Sequence, residues 1–555
     1  MTNLFSFILK SNTRVFCVIG LLVVLAYSFM LHSPFKNLDD EFSVVTNAEI
    51  RDLANIPHFF TSTYFKVEKD YYRPMVYVTY ALEYHFFRLN YFFYNLDNVF
   101  IHLINAFLVF LVAGLLMNNR ARAFAVGMIF AIHPIHWEAV GNVSGRAILL
   151  CALFVLSAFY FFLKYMRDER PVDLALTALC YALALLCKES AGVFVLAAGF
   201  YWLLFGKKSL PQVCRFWPLP AVAAGYMGLR HLMHITVPFP WPSWGMMALG
   251  VTTFLRGVLT YLRLIVLPLD LYFDRARPVF MTFKNPELLM TLAVYAVMLG
   301  VFFRYVRRLP LLAIFCVLWF WVELFPVSQI ITSIGTYPGA IALGEHFMYL
   351  ACIPVFILLV TGAIKLAERC DFSSRISALA AGGFMVFLYL TLIQQNIYAG
   401  NEFLVLKDSL KNDPKNCRVE YALAKVYVKA GDVDQALVHF QKAADLYPCN
   451  PNYQIALGKA WMDKGDYLKA VRVFEAMPSR KDINAIVDGN KKASYEHLAA
   501  EYEAKRRTSP RDPEVLFALG VFYGRLSRNA EAYESFAAVW SVDSTRFDAL
   551  FNMGV

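Results

Sequence analysis

The sequence predicts an all-α chain built of two materials: a polytopic helical membrane domain over 1–396 and an α-solenoid of helical repeats over 397–555. Three observations predict it. First, the 555 residues are 59% hydrophobic and 17% charged, against about 25% charged in soluble domains. That deficit is uneven: 22 of the 52 Lys/Arg and 21 of the 42 Asp/Glu lie in 401–555. The last part therefore has the composition of a soluble domain and carries +1 of the net +10. Second, about 11 apolar runs in the first part reach the roughly 17–25 residues that cross a bilayer as helices. Third, the last part repeats itself every 34 residues.

The apolar runs lie at 15–31, 97–117, 121–138, 147–165, 171–187, 190–206, 216–235, 285–303, 309–327, 346–366 and 376–394. His-Ser-Pro-Phe-Lys follows the first, where a cleaved signal would carry small residues. That run is expected to be a retained anchor. With the N-terminus inside, the cytoplasmic loops carry Arg120/Arg122, Lys164/Arg167/Arg170, Lys207/Lys208/Arg215, Arg304/Arg307/Arg308 and Lys365/Arg369/Arg375. Five basic loops on one side satisfy the positive-inside rule. They read the surplus charge as topology, and exclude a nucleic-acid binder, which needs a basic soluble face. The stretch 246–269 is apolar but contains Arg256 and Arg263, seven apart on one helical face. It is expected to lie on the outer surface or to re-enter. The segment 32–96 then faces outward, and loops of that length are usually functional.

In the tail, Pro414/Pro448, Ala422/Ala456, Leu423/Leu457, Gly431/Gly465, Ala436/Ala470 and Phe440/Phe474 are each 34 apart. That period, with small residues where helices cross and Gly at the turn, is the tetratricopeptide signature. The repeats are expected at about 414–447, 448–480, a degenerate 481–511, and 512–545. The last match, at Ala518, Leu519 and Gly520, is offset by 62 from the second repeat. The last residues begin a further repeat, so they either cap the array or belong to a longer chain.

Several motifs fall on the outer side. Asp39, Asp40 and Glu41 follow the first run. Carboxylates beside a membrane are costly unless used or solvated, so they read as a general base, an ion-binding cluster, or a solvated loop. A divalent ion is permitted by such a cluster and not demanded. His133, His136 and Glu138, followed by Arg146, end the third run. Their spacing does not match the HExxH zinc pattern. Lys188 and Glu189 stand in a break too short to be a loop, and Glu345 and His346 open a later run. With Arg73, Arg256 and Arg263 they place carboxylates and cations on one side. That mixture suits transfer from a lipid-linked phosphate, with cations holding the leaving group and a carboxylate taking a proton. The ten cysteines include no CxxC pair, which excludes a zinc ribbon or thioredoxin-like motif.

The order DDE, YYRP, HLIN, HPIHWEAV…SGR, LLCKES, LPLD and GEHFMYL, followed by the repeats, resembles the transmembrane and tetratricopeptide-containing O-mannosyltransferases. These are glycosyltransferases of the GT-C class. The resemblance implies a polyprenyl-phosphate sugar donor and a Ser/Thr hydroxyl acceptor on a polypeptide held in the repeat groove. It also implies an inverting transfer at the outer face of the bilayer, with Asp40 as the base beside Asp39 and Glu41. Arg73, His133, His136, Glu138, Arg146, Lys188, Glu189, Arg256, Arg263, Glu345 and His346 are the candidates for the donor's phosphate and sugar. Where the family has Glu-Arg-Tyr, this chain reads Glu345-His346-Phe347, which departs from the pattern at a phosphate-binding position. The short repeat array suggests a bacterial inner-membrane protein with a periplasmic tail, or an ER membrane protein with a lumenal one. The alternatives are a non-catalytic scaffold displaying repeats for envelope assembly and a transferase acting on a lipid or glycan.

Overall fold

In the computed structural model the described residues are 2–61, 71–206, 215–235, 241–331, 333–335, 337–480 and 483–554. Lys207 and Lys208, expected in a cytoplasmic loop, lie outside them. Among the described residues the fold is all-α apart from one small ribbon, and the chain divides into two compact units, Met1–Asp413 and Pro414–Val555.

In the first unit, seven helical stretches among the described residues are long and apolar enough to cross a membrane: Asn12–Met30, Tyr91–Met117, Val143–Asp168, Trp244–Val266, Pro286–Arg308, Glu345–Arg369 and Ser374–Ala399. Arg120–Ile132 and Pro134–Gly141 pass the same test together, bent by 49°. The bend has a local cause: Pro134 has no N–H to donate and forces His133 into an extended conformation, ψ 126°. Three shorter apolar helices are Pro171–Cys187, Glu189–Phe205 and Leu311–Val327.

Two stretches differ from expectation. The 216–235 run forms a helix of only 15 residues, Pro218–Leu232, about 22 Å long at 1.5 Å per residue and shorter than a hydrocarbon core. The 246–269 run instead contains a continuous 23-residue helix, Trp244–Val266, capped by the Ser243 hydroxyl. A re-entrant turn within it is therefore absent, and its arginines are neutralised by neighbours: Arg256 by Glu287 at 2.9 Å and Arg263 by Asp270 at 2.9 Å.

The ribbon pairs β1 (Ala276–Pro278) antiparallel with β2 (Ala340–Ala342). Arg275 precedes it and pairs with Glu345, and Arg277 lies within it and pairs with Glu287, placements that periodicity over three-residue strands cannot reveal.

The second unit is made of helix hairpins: Cys417–Lys429 with Val433–Leu446, Pro451–Asp463 with Tyr467–Glu475, and Pro513–Arg525 with Asn529–Val542. Gly431 and Gly465 adopt left-handed φ of +78° and +84° at the first two turns, where Gly lacks the steric penalty of a Cβ. Ser527, 62 residues after Gly465, takes φ +59° at the third. The irregular 62-residue offset thus lands on the same turn. A single helix, Asn484–Thr508, occupies the intervening sequence.

Candidate active site

The acidic triplet does not act as a unit. Asp39 is exposed and Glu41 partly exposed, while Asp40 is 2% exposed. The Asp40 carboxylate accepts the backbone N–H of Lys36 at 3.1 Å through Oδ2 and that of Ser144 at 2.8 Å through Oδ1. Burial pushes its pKa above the usual carboxylate value, opposed by those two N–H groups and by the charge of Lys36. The Lys36 ammonium donates to the Gly141 carbonyl at 3.1 Å and to Asn142 Oδ1 at 2.5 Å. Burial pushes its pKa down. The loop after the first span is thus fastened to 141–144 at Lys36 and at Asp40. The fit is close: a Cβ on Gly145 would stand 2.0 Å from the Ala139 carbonyl oxygen.

Arg146 is fully buried and its guanidinium is already engaged. It donates to Glu83 at 2.8 and 3.1 Å, to Asn98 Oδ1 at 2.5 Å and to the Tyr94 carbonyl at 2.9 Å. Glu83 and Asn98 are residues that sequence reasoning missed, since nothing in their spacing tied them to Arg146. Their effect is to pin the segment that presents the Ser144 N–H.

The 133–138 and 344–346 segments form one network. Glu138 is 4% exposed; it meets His346 Nδ1 at 3.0 Å and accepts the His346 backbone N–H at 3.1 Å. Glu345, fully buried, accepts from Trp137 Nε1 at 2.6 Å, from Arg275 at 2.8 and 3.2 Å, and from the Tyr272 N–H at 3.1 Å. The Trp137 ring faces the Lys36 ammonium at 6.0 Å, so the network runs from the Asp40 loop to Arg275. His133 accepts the Ile135 N–H at Nδ1 (3.1 Å), which leaves Nε2–H to donate to the Ile265 carbonyl (2.9 Å). His136 is fully buried, and its Nδ1 has no partner among the described residues. Among those residues no three His, Cys, Asp or Glu side chains are grouped to hold a metal ion.

Two groups of cations remain. Arg73 forms a two-pronged pair with Glu189 at 2.6 and 3.1 Å. Beside them Lys188, partly exposed, makes no side-chain hydrogen bond or ion pair among the described residues. Burial, and then the charge of Arg73, push its pKa down to about 8, while Glu189 and Glu138 act in the opposite sense. The second group is a cavity of about 290 Å³ lined by Arg256, Arg263, Arg275, Arg277, Thr260 and Tyr272. Arg256 and Arg277 share Glu287, Arg263 holds Asp270 and Arg275 holds Glu345.

Residues 74–228 match the family model described as dolichyl-phosphate-mannose-protein mannosyltransferase. Protein O-mannosyl-transferase Tmtc1 of Drosophila melanogaster is 37% identical over 108 residues, 19% of this chain and 13% of that protein. Human protein O-mannosyl-transferase TMTC3 is 31% identical over 150 residues, 26% of this chain and 16% of the relative. Human protein O-mannosyl-transferase TMTC1 is 24% identical over 413 residues, 63% of this chain and 45% of the relative. Part of the chain is thus similar to protein O-mannosyl-transferases. The matched stretches span less than half the length of these relatives. A solved Archaeoglobus fulgidus oligosaccharyltransferase overlays at a TM-score of 0.39 with 12% identity, covering 74% of this chain and 59% of that one.

The mannosyltransferase-like segment 74–228 contains Glu83, His133–Arg146 and Lys188–Glu189. Asp40 lies before it and the arginine cavity after it. The structure brings Asp40, Glu138, Glu345 and His346 into one connected network with Lys36 and Arg275. Arg263 reaches that network through Asp270, whose carbonyl accepts from Arg275, Arg256 pairs with Glu287, and the Arg146 guanidinium is held by Glu83, Asn98 and Tyr94.

Proposed function

We propose that this membrane protein is an inverting glycosyltransferase of GT-C type. It moves a mannose-like sugar from a polyprenyl-phosphate donor to a Ser/Thr hydroxyl of a polypeptide on the extracytoplasmic side. That side is the periplasm in a bacterium and the ER lumen in a eukaryote. Asp40 accepts the hydroxyl proton as the oxygen attacks the anomeric carbon. The bond from that carbon to the phosphate oxygen breaks, the anomeric configuration inverts, and polyprenyl phosphate leaves with the electron pair. Lys188, beside the Arg73–Glu189 pair, neutralises the departing phosphate, and Glu138 and His346 belong to the Asp40 network. The repeats after residue 396 present the acceptor in their groove. With Trp244–Val266 crossing in place of 216–235, the crossings remain eleven and the tail lies on the Asp40 side.

The observation that carries this reading is Asp40. It is the buried member of the triplet, held in one orientation by two backbone N–H donors and raised in pKa by burial, as a base facing a hydroxyl requires. The test uses the full chain in detergent, a polyprenyl-phosphate mannose and a Ser/Thr peptide. Asp40→Asn is expected to lower kcat by about 10²-fold or more, the usual scale for a lost general base. Full retention of transfer would remove Asp40 from the mechanism.

A further inference from the structure

Asn37, three residues before Asp40, is 2% exposed. Its backbone N–H donates to Glu402 Oε1 at 2.6 Å and its side-chain Nδ2–H donates to Glu402 Oε2 at 2.8 Å. Both donors come from one residue and both acceptors from one carboxylate, across 365 positions of sequence. Glu402 is the first residue of the Glu402–Asn412 helix, whose N-cap Asn401 accepts the Leu404 N–H. A carboxylate there is also favoured by the helix dipole. The preceding helix is fixed in turn, since Asn396 donates to the Ala26 carbonyl at 2.8 Å. Next to Asn37, Lys36 supplies the N–H that holds Asp40 Oδ2, and the charge of Glu402 acts on the Lys36 ammonium.

We infer that Glu402 is a positioning residue for the transfer: by clamping Asn37 it sets the backbone that aims the Asp40 carboxylate. The inference rests on the reading of Asp40 as the base. The chemistry of the clamp is specific. Two N–H donors need two acceptor oxygens, so an amide at 402 satisfies the backbone N–H and turns an NH₂ against the Asn37 NH₂. Replacing Asn37 by Asp at the same time restores a donor facing an acceptor.

Glu402→Gln is expected to lower kcat by about 10- to 100-fold, the cost of displacing a catalytic group by about 1 Å. The donor KM should change less than about threefold, because the clamp acts on Asn37 and on the backbone that holds Asp40. The double variant Asn37→Asp with Glu402→Gln is expected to recover most of the lost kcat. Thermal unfolding of each variant in detergent accompanies the kinetics. Parallel losses in kcat and unfolding temperature, with no recovery in the double variant, would make Glu402 a structural residue only and overturn the inference. So would a Glu402→Gln protein with unchanged kcat while Asp40→Asn is inactive. An active Asp40→Asn protein would instead fail the reading of the base, which separates the two failures.

Discussion

The two cationic regions of the membrane unit differ in what the fold has already done with their charge. In the arginine cavity four guanidinium groups meet three carboxylates, Glu287, Asp270 and Glu345, and each arginine has an ion-pair partner. At the Arg73–Glu189 pair, Lys188 is left without one among the described residues. A buried or half-buried cation without a counter-ion is expensive, and its lowered pKa reports that cost. An arriving phosphate would offset it. The comparison teaches that cation number is a poor guide to an anion site; the unneutralised cation is the better one.

The largest effect that would sharpen this contrast is at Lys188. Lys188→Met is expected to lower kcat/KM for the polyprenyl-phosphate donor by about 10²- to 10³-fold, the scale of one lost preorganised charge contact. Lys188→Arg should recover part of it. Steady-state rates with varied donor measure both, and an unchanged kcat/KM would break the assignment of Lys188 to the leaving phosphate.

A smaller effect follows from the same residue through pH. Lys188 is a cation below its pKa of about 8 in the free protein and neutral above it. As pH rises through that value the donor loses its counter-charge, so kcat/KM should fall about tenfold per unit above pH 8. Asp40, with its pKa raised, should limit the acidic side, because protonation as pH falls removes the proposed base. In Lys188→Met the alkaline limb should vanish while the acidic limb persists. An alkaline limb that survives the substitution would assign it to another group.

Much of this arrangement is legible in the residues themselves. The charge partition separates the two parts of the chain, and the 34-residue offset predicts turns that fall at Gly431 and Gly465. The acidic triplet, His-Trp-Glu, Lys-Glu and Glu-His motifs are all drawn from residues that interrupt apolar runs. Local sequence could not say which of Asp39, Asp40 and Glu41 is buried. That depends on the Ser144 N–H, more than one hundred positions away. Nor could it show that Arg146 would be taken up by Glu83 and Asn98, or that Glu402 would reach Asn37. Arg275 and Arg277 escaped for a different reason: each flanks or occupies a three-residue strand whose pairing with 340–342 leaves no periodic trace. Partners joined across several hundred residues decide which charges are available, and composition counts them alike.

The smallest expected effect tests the other side of the comparison. Arg277 is partly exposed, and it shares Glu287 with Arg256, so Arg277→Ala leaves that carboxylate with a guanidinium at 2.9 Å. Removing one arm of a solvent-accessible pair costs about 0–1 kcal/mol. The unfolding temperature in detergent should therefore shift by no more than a few degrees. Because each guanidinium of the cavity already has a carboxylate partner, kcat/KM for the donor should stay within about threefold. A loss above about tenfold, with the fold intact and Lys188→Met nearly silent, would reverse the contrast. It would move the donor's phosphate into the arginine cavity, where Thr260 and Tyr272 stand beside the guanidinium groups. The paired arginines would then be a site that exchanges carboxylates for phosphate on binding, and Lys188 a cation stabilised chiefly by Glu189.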